Sequence, residues 1–463
     1  MHIVLTLTLA FLLLASVVSA ATVTTTEALV AAVRDGSAGS VIEIGAGTFA
    51  LAAALEPKAG MTLKGAGRDK TILTHDSSWK ASTATLPDPE MTTKGMDTRA
   101  YLIRLQDKAA GITISDLTLH GPQLHGAIFG SGNAGLHLHH LRIQEVQWAG
   151  IRTFSSTGAK IHDCEFIDAG GKWKRGGIPG IDGGISAGAI FAVWIKDSEI
   201  FNNRITRTRM EPEYAFFGIK GRQGKQCHIH HNTIEVNFAI EFPFESDEDM
   251  EVDHNVCHGV ISIPKYAGGS VPASGSTFHI HHNYFTTSYA IEFVRNGVEI
   301  DHNLFDFDTQ KDGGNLISGF GKAAAKGPAV FHNNLVSNPG RGVIWINEPY
   351  SQLVVRNNHI IARTTATPRG EGLFGFNEQS DLTTIQIVDN IIECQGQSRP
   401  LLRQEKSYTA ALSNNLLTNV SDATRFVQTE SSTKPGLELP LSFQCGVDGE
   451  FTVQGWLISR TRP

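Results

Sequence analysis

Residues 229–234 read Ile-His-His-Asn-Thr-Ile, and the pattern apolar, polar, His/Asp/Asn, Asn, any residue, apolar recurs along the chain. It appears as IFNNRI at Ile200, VDHNVC at Val252, IHHNYF at Ile280, IDHNLF at Ile300, FHNNLV at Phe331, VRNNHI at Val355, IVDNII at Ile387 and LSNNLL at Leu412. Looser copies lie upstream: ISDLTL at Ile114, LHHLRI at Leu138 and IHDCEF at Ile161. Measured between register positions, from Leu117, Leu141 and Cys164 through Asn203 to Asn415, the intervals run from 20 to 39 residues. A second motif of a small residue, an apolar residue and a variable one follows: GIR ending at Arg152, GIK at Lys220, AIE at Glu241, VIS at Ser262, AIE at Glu292 and VIW at Trp345.

Two or three short strands per repeat of roughly 22 residues, with Gly and Asn turns and no helical periodicity between them, describe one coil of a parallel β-solenoid. Coils stack at about 4.8 Å, the strand spacing, so each alignment column becomes a ladder in space. The predicted fold class is all-β, a single-stranded right-handed parallel β-helix, its hand following the rule for parallel crossovers. The segment TTTEALVAAVRDG, stopping at Gly36, predicts a short amphipathic helix that caps the N-terminal end and its open strand edges.

The register Asn ladder reads as structural, since Asn tolerates left-handed turns and its amide satisfies backbone groups. His231, His254, His282 and His302 form a second ladder that grades into Asn333 and Asn357. A regular stack lacks the convergence a metal needs, so no metal is expected at these histidines.

The chain has 463 residues with 39 Lys+Arg against 46 Asp+Glu, a net charge of −7, which removes the electrostatic case for nucleic acid as a partner. Five cysteines without CxxC spacing give neither a disulfide scaffold nor a zinc motif. Residues 1–20 end an apolar run on Val18-Ser19-Ala20 and read as a secretory signal, so the expected location is extracellular or periplasmic, with no membrane association after cleavage. The expected division is 1–20 signal, 21–430 β-helix and 431–463 a C-terminal capping segment, in a monomer.

The opening TEALVAAVRDGSAGSVIEIGAGTFAL, the turn LKGAGRDKTIL and the HHN coils together resemble right-handed parallel β-helix proteins of the pectate lyase-like group, especially polysaccharide lyases acting on alginate and related uronate polymers. The resemblance spans about residues 24 to 420. It implies a secreted lyase cleaving an acidic polysaccharide by β-elimination. Glycoside hydrolases and non-catalytic carbohydrate-binding proteins on the same scaffold are the alternatives. In the lyases of this group a Lys on one coil is followed by an Arg near the equivalent position on the next; this chain offers Lys220 but has Glu241 there.

The chemistry is expected on the variable column of the second motif. A uronate lyase needs a base and cations on the sugar carboxylate. Lys220, Arg222, Glu241 and Tyr214 are the candidate catalytic residues, with Lys220 as base or carboxylate-neutralising cation and Tyr214 or Tyr266 as acid. Arg152, Lys265 and Arg295 are candidates for holding sugar carboxylates, with Trp173, Tyr266 and Glu292 completing the substrate-binding set. Trp173 belongs to AGGKWKRGGIPGIDGGISAG, residues 169–188, the longest insertion, read as one wall of a groove. No cofactor is expected, with Ca²⁺ held by Glu241 and Glu245 as an alternative. In a hydrolase, Glu241 and Glu292, two coils apart and so about 9.6 Å, would be the carboxylate pair.

Overall fold

The computed structural model describes residues 22–421 apart from 80–99, 171–172, 175–187, 209–213, 243–248, 264–276, 293–296, 308–313, 319–327, 347–352, 364–371, 377–384, 403–410 and positions 123, 147, 223, 288 and 397; beyond 421 it describes backbone at 442–445 and 449–452. The expected signal segment lies outside the described residues, and so does the expected C-terminal cap apart from an antiparallel strand pair, Ser442–Cys445 with Gly449–Thr452.

Among the described residues, three parallel sheets, two of fourteen strands and one of eleven, lie between Val41 and Thr418. Each coil contributes one strand to each in turn, as with Thr113–Ser115, Thr118–His120 and Gly126–Ser131. The fold is the right-handed parallel β-helix that the repeats predict. Twelve rungs of the first sheet carry the register positions from Leu117 to Asn415, and Val41–Ile44 and Thr62–Gly65 add two before them.

The bend between the first and second sheets explains the Asn signature, with one correction. The left-handed residue is the one before the register position: Asp116, His140, Asp163, Asn202, His231, His254, His282, His302, Asn333, Asn357, Asp389 and Asn414 have φ between 51° and 59°. Short polar side chains lower the cost of that conformation, which is why Asp and Asn recur there. The register Asn is instead buried and builds an amide ladder. Asn232 Nδ2 donates to Asn255 Oδ1 at 2.9 Å, Asn255 Nδ2 to Asn283 Oδ1 at 2.9 Å and Asn283 Nδ2 to Asn303 Oδ1 at 3.0 Å. The same link runs from Asn203 to Asn415. Each amide also caps backbone carbonyls, as Asn255 Nδ2 does for Ile229 and Asp253, so the carbonyls turned inward at the tight bend are paired.

The core is a stack of aligned apolar side chains. In the third sheet, Ile128, Ile151, Ile190, Ile219, Ile240, Ile261, Ile291, Ile317 and Ile344 follow one another in register and are buried. The helix α1 (Thr26–Asp35) closes the N-terminal end: Thr25 Oγ1 accepts from the Ala28 amide, and Leu29 and Val33 join the core beside Ile42 and Leu63. Gly36 caps its C-terminal end, its amide donating to the Ala32 carbonyl at 3.0 Å, and a β-carbon there would stand 2.5 Å from that same oxygen.

Candidate active site

The variable positions of the second motif form one unbroken column on the outer face of the third sheet: Arg104, Phe129, Arg152, Phe191, Lys220, Glu241, Ser262, Glu292, Ser318 and Trp345 pair in register. Alternation along a strand sends this column away from the isoleucines.

The column changes character at Lys220. Upstream it is closed over by a second apolar cluster of Tyr101, Phe129, Ala149, Phe154, Phe191 and Val193. Arg152 is 1% exposed there, its guanidinium carbon 4.6 Å from the Phe154 ring centroid and 5.5 Å from that of Phe191. Arg152, expected to hold a sugar carboxylate, is instead enclosed by aromatic rings. Facing out of the core is not the same as facing water, because the aromatic neighbours on adjacent coils enclose the side chain.

From Lys220 to Ser318 the column is polar. Lys220 Nζ donates to Glu241 Oε1 on the next coil, and the same ammonium lies 4.1 Å from the Phe217 ring centroid. The two side chains are 14% and 13% exposed. Phe217 stacks on Phe238 at 4.7 Å, which fixes the aromatic floor beside the pair. Gly221 next to Lys220 lets the Phe242 ring of the following coil pack against the strand; a β-carbon there would stand 1.7 Å from that ring. The ladder is also irregular here, with a register shift between Phe238 and Ile240 immediately before Glu241. Such bulges re-aim side chains and are frequent beside active sites.

Two coils further on, Glu292 is 7% exposed and bound on both oxygens: Ser262 Oγ donates to Oε1 at 2.5 Å and Tyr289 Oη to Oε2 at 2.7 Å. Burial first, and then the hydrogen bond to Glu292, push the Tyr289 phenol above its ordinary value. Tyr289 went unnoticed in the sequence because it lies outside the three-residue motif, and the rule that a buried carboxylate needs donors is the signal that leads to it.

The insertion returns to this place. Its Trp173–Lys174 backbone pairs antiparallel with Tyr214–Ala215, just ahead of the Phe217–Arg222 strand that carries Lys220 and Arg222. Arg207 secures its base, donating to the Gly170 carbonyl at 2.7 Å and lying 3.8 Å from the Phe216 ring centroid. The structure thus brings Lys220, Glu241, Arg222 and the backbones of Tyr214 and Trp173 to one face, with Ser262 and Glu292 continuing the column. Lys265, Tyr266, Arg295 and Glu245 lie outside the described residues. On the first sheet, carboxylates and imidazoles gather in groups such as Glu251, His279 and His281.

The family profile described as right handed beta helix region matches residues 126–309, which span the insertion and the Lys220–Glu241 pair. No curated protein sequence matches the chain. Among solved structures, the chain resembles the A-module of a mannuronan C-5 epimerase of Azotobacter vinelandii at 10% identity, covering 85% of this chain and 94% of that one with a TM-score of 0.39. An alginate lyase matches at 13% identity, covering 80% of this chain and 51% of that one with a TM-score of 0.47. A surface adhesin of Streptococcus pneumoniae matches at 13% identity over 88% of both chains with a TM-score of 0.44. All three TM-scores lie below 0.5, and the reading of the chemistry rests on this chain's own residues.

Proposed function

We propose that this chain is a secreted polysaccharide lyase that cleaves a uronate-containing, alginate-like polymer by β-elimination, acting as a monomer on the outer face of the third sheet. The carrying observation is the Lys220–Glu241 contact, placed where the column turns from aromatic to polar and beside the returning insertion. In β-elimination the C5 proton leaves to a base, the C4–O bond breaks and a C4–C5 double bond forms, while the leaving oxygen gains a proton. A cation on the sugar carboxylate stabilises the intervening enolate.

Lys220 suits the cationic role, since its ammonium already pairs with a carboxylate at the outer face. Glu241, oriented by that ammonium, is the adjacent proton acceptor. Arg222 assists at the sugar carboxylate, and Tyr214 supplies the proton to the leaving oxygen. The hydrolase reading is weaker because Glu292 is bound on both oxygens and nearly buried, whereas an acid or base must reach the glycosidic oxygen or a water.

The test is incubation with a panel of uronate polymers. Rising ultraviolet absorbance from the new double bond supports the lyase; new reducing ends without absorbance mean a hydrolase; binding with neither means a carbohydrate-binding solenoid.

A further inference from the structure

The outer face of the first sheet carries a pattern that the proposed reaction does not use. On successive coils, one column reads Glu199, His228, Glu251, His279 and Glu299, and the column two residues along reads Phe201, His230, Asp253, His281, Asp301 and His332. Over the four rungs from His228 to Asp301, paired imidazoles therefore alternate with paired carboxylates. These are strand positions, distinct from the turn ladder His231, His254, His282 and His302, whose rings stack at 4.9 to 5.1 Å. The HIHHN segments at His228 and His279 are expected from sequence to be metal-free as well; the register partner on the preceding coil is what changes that reading.

We propose that Glu251, His279 and His281 form a binding site for a borderline-soft divalent transition ion, of which Zn²⁺ is the type. His279 and His281 stand two apart on one strand and so project from the same face, their ring centroids 4.1 Å apart. Glu251 is the register partner of His279 on the preceding coil, and its Oε1 lies 2.9 Å from His281 Nε2. One ligand atom from each of the three lies within 4.8 Å of the others. A tetrahedral ion with bonds of about 2.0–2.2 Å closes that gap with small side-chain rotations, leaving the fourth position to water.

The outer contacts act from both sides: His279 Nε2 is bonded to Asp301 on the following coil, a bond that the ion must replace or leave in place by taking the other ring nitrogen. His281 Nδ1 meets His282 Nδ1 at 2.8 Å, so its ring orientation is held from behind, as ligand imidazoles generally are. Two imidazoles with one carboxylate favour zinc or nickel over calcium, which takes six or more oxygen ligands. An ion here ties two successive coils of the helix together.

The test is calorimetric titration of the full-length protein, stripped with chelator and dialysed, with Zn²⁺ alone and in parallel with Ca²⁺ alone. Expected is saturable Zn²⁺ binding of about one ion per chain at this site and none of Ca²⁺, with Zn²⁺ raising the melting temperature. His279→Gln and His281→Gln, and separately Glu251→Gln should one of them fold poorly, weaken binding at least about tenfold, while Lys220→Ala leaves it unchanged. His254→Asn, which places at the bend the residue already present at Asn333 and Asn357, also leaves it unchanged. Absence of saturable Zn²⁺ binding overturns the proposal, as does binding that survives His279→Gln and His281→Gln or is lost in His254→Asn.

Discussion

Lys220 and Glu241 stand on successive coils of one column and hold each other in an ion pair against the Phe217 ring, each about one-seventh exposed. Arg152, two rungs before Lys220 in the same column, is enclosed by phenylalanines. One column thus serves as an outer apolar cluster at one end and as a candidate site at the other.

Arg152 consequently acts on stability rather than on substrate. Arg152→Ala leaves a void among Phe129, Phe154 and Phe191 and removes the stacking, at a cost of about 2–4 kcal/mol by analogy with other large buried truncations. Denaturant unfolding gives the loss, and KM for the preferred polymer stays at the wild-type value.

The fold was legible in the chain because a β-helix repeats its bends, and the bends demand particular residues. The Asn column announces an amide ladder and the residue before it a left-handed turn, although sequence alone assigned both jobs to the Asn. The apolar and variable positions of the second motif aligned from Arg152 to Glu292 as the register later confirmed. What stayed hidden was depth. Whether an outward side chain meets water depends on its neighbours above and below, and nothing in GIR or AIE says that Arg152 and Glu292 are covered. The returning insertion was equally opaque, because its pairing with Tyr214–Ala215 is antiparallel and falls outside the repeat.

Asn255 should be among the costliest single positions. Its Oδ1 accepts from the Asn232 amide at 3.0 Å and from Asn232 Nδ2, and its own Nδ2 serves three acceptors. Asn255→Ala strands several buried groups, each worth about 1–3 kcal/mol, so a loss of about 3 kcal/mol or more is expected from urea unfolding. A change below about 1 kcal/mol would mean that the ladder is ornamental.

Acid weakens the N-terminal half of the first sheet. Burial, and then repulsion from His137 and His162, lowers His139 to about 4, with Asp116 opposing. A histidine lowered in the folded state contributes stability that is fully present above its unfolded value near 6.5 and is lost as pH falls from there through about 4. The melting temperature should therefore drop between pH 6.5 and 4. His139→Phe, matching Phe201 in the same stacked column, should flatten that drop; an unchanged slope would assign the acid sensitivity to other groups.

In the proposed reaction Lys220 stabilises the charge that develops on the sugar. The most direct measurement is the initial rate of ultraviolet absorbance rise on the best polymer of the panel, for wild type and Lys220→Ala, with folding checked by circular dichroism and melting. Loss of a cation that acts in the transition state predicts a fall in kcat of about 10² or more at unchanged fold. Glu241→Gln, losing the proton acceptor, should fall comparably. Wild-type absorbance rates in both folded variants would contradict the account and leave the pair a surface ion bridge on an outward ladder.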